Sequence, residues 1–124
     1  MIWLSRAAIQ YAISLCLEKE CQHVGIICSS TEQAKDMYNR VITSCEHGDK
    51  YFRTRYSKIG KSTIYFESGS SITCAKASES LRGHKWHQLV IDEHVPDDII
   101  HEVLLPSEIL AEFERRERLK NEDS

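Results

Sequence analysis

No stretch of about 18 consecutive apolar residues occurs in this 124-residue chain, so no segment has the composition of a membrane-spanning helix. The N-terminus lacks the basic start, apolar stretch and small-residue cleavage site of a secretion signal, and no leader is expected. Cysteine pairs at C-x-x-C spacing are missing too. The five cysteines, at 16, 21, 28, 45 and 74, are odd in number. That usage excludes a disulfide frame or a zinc site and suits buried thiols in a reducing cytoplasm. Charge of one sign is not in excess either: the net value of -3 points to no polyanionic partner. Internal repeats and low-complexity segments are absent, and so is the spaced set of acids that a two-metal nuclease needs. These absences leave one domain over 1–124. A chain of this length buries roughly two-thirds of the surface that its unfolded form exposes.

Hydrophobic periodicity supplies the elements. "IWLSRAAIQYAISLCLEKE" is rich in helix formers, with one stripe at Leu4, Ala8, Tyr11 and Leu15 and another at Ile9, Ile13 and Cys16. It predicts a helix over 3–18 lying against a sheet. "HVGIICSS" is apolar without alternation, the pattern of a strand covered on both faces. Ser30 with Gln33 three residues on marks the start of the next helix, whose apolar spacing runs from Thr31 to about Thr43. Residues 44–62 read as a basic loop. "TIYFESGSSITCAKA" reads as a hairpin about Ser68-Gly69-Ser70. "SESLRGHKW" is a polar connection with a half-buried Trp86, and "HQLVID" is a second covered strand. Asp97 and Asp98 suit the start of a following helix, which Pro106 breaks. A charged C-terminal helix and tail is expected over 107–124, with Ile109, Leu110 and Phe113 as an apolar seam. Helix and strand in this rhythm predict an α/β protein with a parallel sheet.

"KIGKST" carries the G-K-S that ends a phosphate-binding loop. Such a loop also needs a glycine where Arg55 stands, an apolar strand leading in and a helix leading out. "YFRTRYSKI" is basic without a strand pattern, and "TIYF" is strand-like. The segment reads as a turn entering a hairpin.

"LVIDEHV" is the more informative stretch. Apolar strand residues ending in adjacent acids form a Walker B pattern. In that pattern Asp92 holds Mg²⁺ through a water, and Glu93 orients the water that attacks a γ-phosphate.

Its surroundings resemble the ATPase domain of phage terminase large subunits, the motors that pack DNA into capsids. Ser68-Gly69-Ser70-Ser71-Ile72, Leu81-Arg82-Gly83 and Leu89 to Glu93 match the family's pieces in order. Val103 to Pro106 matches the stretch beyond the acids, and "STEQA" matches the turn after the second strand. The resemblance runs over roughly residues 5–110. It implies a partial P-loop NTPase-like (ASCE) sheet with flanking helices and an inserted β-hairpin. It also implies that the second strand and the Walker B strand are neighbours, with helices 3–18 and 31–43 covering them. Glu93 and Asp92 become catalytic candidates, with Asp92 on the metal and Arg82 beside the nucleotide. The family's phosphate loop precedes the helix in which this sequence begins. The chain alone is therefore expected not to hydrolyse ATP, and Mg²⁺ and ATP enter only when a partner completes the site. That partner is a second polypeptide supplying the phosphate loop, or further copies of the chain joined through an exposed edge of the Walker B strand. The setting is the cytoplasm of a host cell, with a viral or prophage origin.

Two other constellations stand beside this one. Lys50, Arg53, Arg55, Lys58 and Lys61, interleaved with Tyr51, Phe52 and Tyr56, form a candidate nucleic-acid contact, with DNA as the ligand. His84, His87 and His94 near the acids suggest a metal site, against the plainer reading of surface histidines. The alternative for the whole chain is a non-catalytic binding or regulatory protein acting on a motor, a host protein or DNA.

Overall fold

In a computed structural model the described residues are 1–47, 56–59 and 62–107, the last residues of some elements and all of 56–59 by backbone alone. In chain order they form β1 (Ile2–Trp3), α1 (Arg6–Glu18), β2 (His23–Cys28), α2 (Thr31–His47), β3 (Tyr56–Ile59), β4 (Thr63–Phe66), β5 (Ser71–Lys76) and β6 (Gln88–Ile91). A 3₁₀ turn, Glu79–Leu81, lies between β5 and β6. After β6 comes α3 (Asp97–Ile99), which continues as a π-helical turn, Ile100–Leu104, and a 3₁₀ turn, Leu105–Ser107. The strands make one mixed sheet in the order β1-β6-β2-β5-β4-β3. β1, β6, β2 and β5 run parallel, and β4 and β3 extend the sheet antiparallel.

The two covered strands pair directly, Val24 with Gln88 through Ile27 with Ile91. Side-chain alternation splits β2 between two cores. Val24, Ile26 and Cys28 join Ala8, Ile13, Met37 and Val41 beneath α1 and α2. Ile27 faces Leu81, Trp86, Leu89, Ile91 and Val103 on the other side, under α3. A strand clothed on both faces cannot alternate polar and apolar residues, which is why both segments read as continuous apolar runs.

Gly25 explains itself by what lies over it. A Cβ there would come within 2.9 Å of Trp86 Cδ2 and Cε3. The indole thus lies flat on the β2 backbone. Trp86 is 5% exposed, more buried than the sequence suggested, and His84 stacks on it with ring centroids 5.6 Å apart.

Several expectations change. The chain does not begin inside a helix: Ile2 and Trp3 pair with Val90 and Ile91, and α1 starts only at Arg6, capped by the Ser5 hydroxyl. The reason is local. Ser5 accepts a hydrogen bond from the Ala8 N–H and so ends the extended segment there. As a result the outer edge of β6 is not bare. β1 covers Val90 and Ile91, the Leu4 N–H donates to the Ile91 carbonyl, and the buried Gln88 amide donates to the Leu89 carbonyl. Association through an exposed edge of that strand loses its footing.

Within 44–62, α2 runs four residues past Thr43 to His47, and Tyr56–Ile59 is a strand paired with β4. The hairpin is also no appendage. β5 pairs with β2 over six residues, so the hairpin carries the sheet outward. Residues 48–55, 60–61 and 108–124 lie outside the described set, and with them the C-terminal helix, its apolar seam and most of the basic and aromatic stretch.

Candidate functional site

Parallel strands followed by helices gather strand C-termini and helix N-termini at one rim, where α/β proteins place their ligands. Here that rim holds the ends of β2 and β6. The Asp92 N–H donates to the Ile27 carbonyl at 2.9 Å, which keeps the residue in register with β2 one step past the strand. The chain then turns, the Val95 N–H donating back to the Asp92 carbonyl at 3.1 Å.

The two adjacent acids have opposite fates. Asp92 is 8% exposed, and its Oδ2 accepts from the His94 N–H at 3.2 Å. It continues the alternation of Gln88 and Val90, toward the face covered by α1 and α2. Its charge is felt there. Burial first, then Asp92 and then Asp36, pushes the Cys28 thiol up to about 12. Glu93 faces the other way, its side chain 78% exposed, with His94 Nε2 4.0 Å from Oε1.

Both helix starts flank this rim. The Leu4 bond to Ile91 sets the first turn of α1 beside the end of β6. On the other side, the Ser30 hydroxyl accepts from the Gln33 N–H at 3.1 Å, opening α2. Gln33 reaches back as the sequence suggested, but one residue further: its Oε1 accepts from the Ser29 N–H and hydroxyl at 2.9 and 2.8 Å. Between the helices lies a cleft of about 670 Å³, with Ile9 and Met37 at its floor and Ser5, Arg6 and Arg40 on its walls. Arg40 is held by Asp36 at 3.2 Å.

Among the described residues no cluster of three or more His, Cys, Asp or Glu side chains is placed to hold a metal ion. Asp92 is the one buried carboxylate among the described residues.

The other candidates scatter. Arg82 pairs with Glu79 at 2.8 Å and reaches the Glu102 carbonyl at 3.5 Å, tying the turn before β6 to the turn after α3. His84 stacks on Trp86, His94 sits beside Glu93, and His87 stands at the opposite end of β6. Of the nucleic-acid candidates, Lys58 is described only as a backbone position in β3, and Lys50, Arg53, Arg55 and Lys61 lie outside the described residues. Ser62 leads directly into β4, and Ile59 pairs with Thr63. The lead-in to G-K-S is therefore a strand after all, but an antiparallel hairpin follows and no helix does. The phosphate loop remains excluded on that ground.

Four cysteines are buried as expected. Cys21 is exposed instead, in a turn with φ 55°. Burial pushes Cys16 and Cys74 up to about 12 and Cys45 to about 11, so these thiols pack as apolar groups.

The sequence reading missed a polar network at the other rim. Ser70, 0% exposed, donates to the Lys19 carbonyl at 2.8 Å and accepts from the Gln22 N–H at 2.9 Å. The His23 N–H donates to His87 Nδ1 at 3.0 Å, and His23 Nδ1 lies 2.8 Å from the Ser71 hydroxyl. No one-dimensional signal marks these partners, which lie 48 to 64 residues apart.

An α/β domain with paired acids at the carboxyl rim of its parallel strands belongs to a large class of ligand-binding folds. Comparison with protein families narrows that class. The family described as terminase large subunit, T4likevirus-type, N-terminal, matches residues 4–107. The chain belongs to this family, whose business is viral DNA packaging. A search of curated proteins gives no match.

Proposed function

We propose that this chain supplies the metal- and water-handling part of a packaging ATPase site and does not hydrolyse ATP by itself. One observation carries the reading: a buried Asp92 followed by an exposed Glu93 at the carboxyl rim of a central parallel strand. MgATP, when bound, supplies the metal and the γ-phosphate. Asp92 would hold that metal through a water, and the His94 N–H on Oδ2 fixes the orientation of its carboxylate. Glu93, free to swing, orients a water and takes its proton. A nucleotide contact by Arg82 requires that side chain to leave Glu79.

The 124 residues hold a single G-K-[ST], and the residues after it form a strand, Thr63–Phe66, where a phosphate loop needs a helix. Two carboxylates without a phosphate cradle repel a triphosphate. A segment carrying G-x-x-x-x-G-K-[ST] must therefore come from outside these residues. The whole would work in a DNA-packaging assembly in the cytoplasm of an infected cell.

The test is a calorimetric MgATP titration and a phosphate-release assay on the chain alone and mixed with a terminase segment that carries the loop. No binding or turnover is expected alone. With the segment, turnover appears and falls to background in Glu93→Gln. Turnover by the isolated chain that Glu93→Gln abolishes overturns the proposal. A stable complex without turnover in any mixture favours the non-catalytic binding role.

A further inference from the structure

On the far side of β2 from Asp92, the same carboxyl rim carries the opposite charge. Pairing of Cys28 with Lys76 puts the end of β5 beside the end of β2, three residues before α2 begins. The Cys74 N–H donates to the Ser62 carbonyl at 2.9 Å and draws the turn before β4 to the same place. The result is an open cleft of about 260 Å³. Ala34 and Cys74 form its buried floor, and Thr31, Lys35, Ser62 and Lys76 stand exposed around it.

Among the described residues no carboxylate lines the cleft. Lys35 and Lys76 both line it, and neither has an ion pair or side-chain hydrogen bond among those residues. Two like charges brought together across a concave surface, without a counter-ion of their own, raise the local potential for an anion. The hydroxyls of Thr31 and Ser62 add donors that no carboxylate competes for. A group with a dispersed negative charge and several acceptor oxygens fits this set.

We propose that the cleft binds a phosphate group between the Lys35 and Lys76 ammonium groups, with Thr31 and Ser62 as hydroxyl donors. The site is separate from the acid pair and stands whether or not Asp92 and Glu93 serve an ATPase. Two sources offer the same chemistry, the backbone of DNA and a small free phosphate. The openness of the cleft accommodates either.

The experiment follows backbone amide resonances of Thr31, Ser62 and Lys76 in the folded chain during titration with inorganic phosphate and, separately, with a short DNA duplex. Shifts at these amides with phosphate alone identify a small-anion site. Shifts with the duplex identify the backbone as the source. In the duplex case Lys35→Ala/Lys76→Ala lowers the slope of log affinity against log salt by about 2 between roughly 50 and 200 mM. A matched control, Lys19→Ala/Lys85→Ala, removes two exposed lysines at the other end of the molecule. If the control weakens binding as much, the attraction is diffuse and the proposal fails. It fails equally if neither phosphate nor duplex moves the three amides. A normal unfolding transition of both double variants shows that the comparison is between folded proteins.

Discussion

The two rims of the sheet are built on opposite principles. At the amino rim, Ser68, Ser70, Ser71, His23 and His87 bond to one another and to the backbone that enters β2. Ser68 donates to the Cys16 carbonyl at 2.6 Å and Ser70 to the Lys19 carbonyl at 2.8 Å, so the hairpin turn clamps the end of α1. At the carboxyl rim, backbone bonds hold Asp92 in place, but Glu93, Lys35 and Lys76 are left exposed and charged. One end is closed with short polar side chains that satisfy each other. At the other, two exposed lysines line an open cleft and Glu93 stands exposed past the end of β6. Charge gathered on a concave surface attracts a ligand more than the same charge spread over an open one.

Mutations sharpen that contrast in order of size. The sheet between the rims is the most sensitive part. Gly25→Ala forces a methyl into the Trp86 ring, and the overpacking should cost about 1–3 kcal/mol. Urea unfolding measures it, and an unchanged midpoint shows that the indole does not lie on β2. At the amino rim, Ser70→Ala leaves the Lys19 carbonyl and the Gln22 N–H without their partner. A loss of about 1–3 kcal/mol by the same measurement is expected. A neutral result means that water replaces the hydroxyl and the rim is less closed than it looks.

A smaller effect comes from His87. Its Nδ1 accepts the His23 N–H and so must be unprotonated in the fold, and burial, then His23, lowers its pKa from the usual 6.5. A histidine whose folded value is depressed contributes stability that is present above the free value and lost as the pH falls through it. Thermal midpoints should therefore drop between about pH 7 and 5. His87→Asn, which keeps an acceptor but cannot be protonated, should flatten that drop. An equal slope in the variant removes His87 as its cause. Least of all, Glu93→Gln at the carboxyl rim should leave stability within about 0.5 kcal/mol, because the side chain is exposed. A larger change means that Glu93 has a structural partner and the carboxyl rim is less open than drawn.

Much of this architecture is legible in one dimension. Continuous apolar runs announced β2 and β6. Ser30 with Gln33 announced α2, and Ser68-Gly69-Ser70 announced the β4–β5 turn, where Gly69 has φ 85°. The acids after β6 were legible because strand ends and charge are local features. What failed was also local. Two residues are too few to show a period, so β1 passed for helix, and basic side chains hid the strand at Tyr56–Ile59.

The sequence by itself determined the parallel α/β core, the end of α1, the start of α2 and the position of Asp92 and Glu93 at a strand's end. All of these depend on neighbours within a few residues, through periodicity, capping and turn formation. Only the tertiary structure decided which acid is buried, that Trp86 rests on Gly25, that β1 and Gln88 cover the edge of β6, and that Lys35 and Lys76 share a cleft. Those facts depend on residues from distant segments occupying the same space, and packing of that kind leaves no periodic trace along the chain.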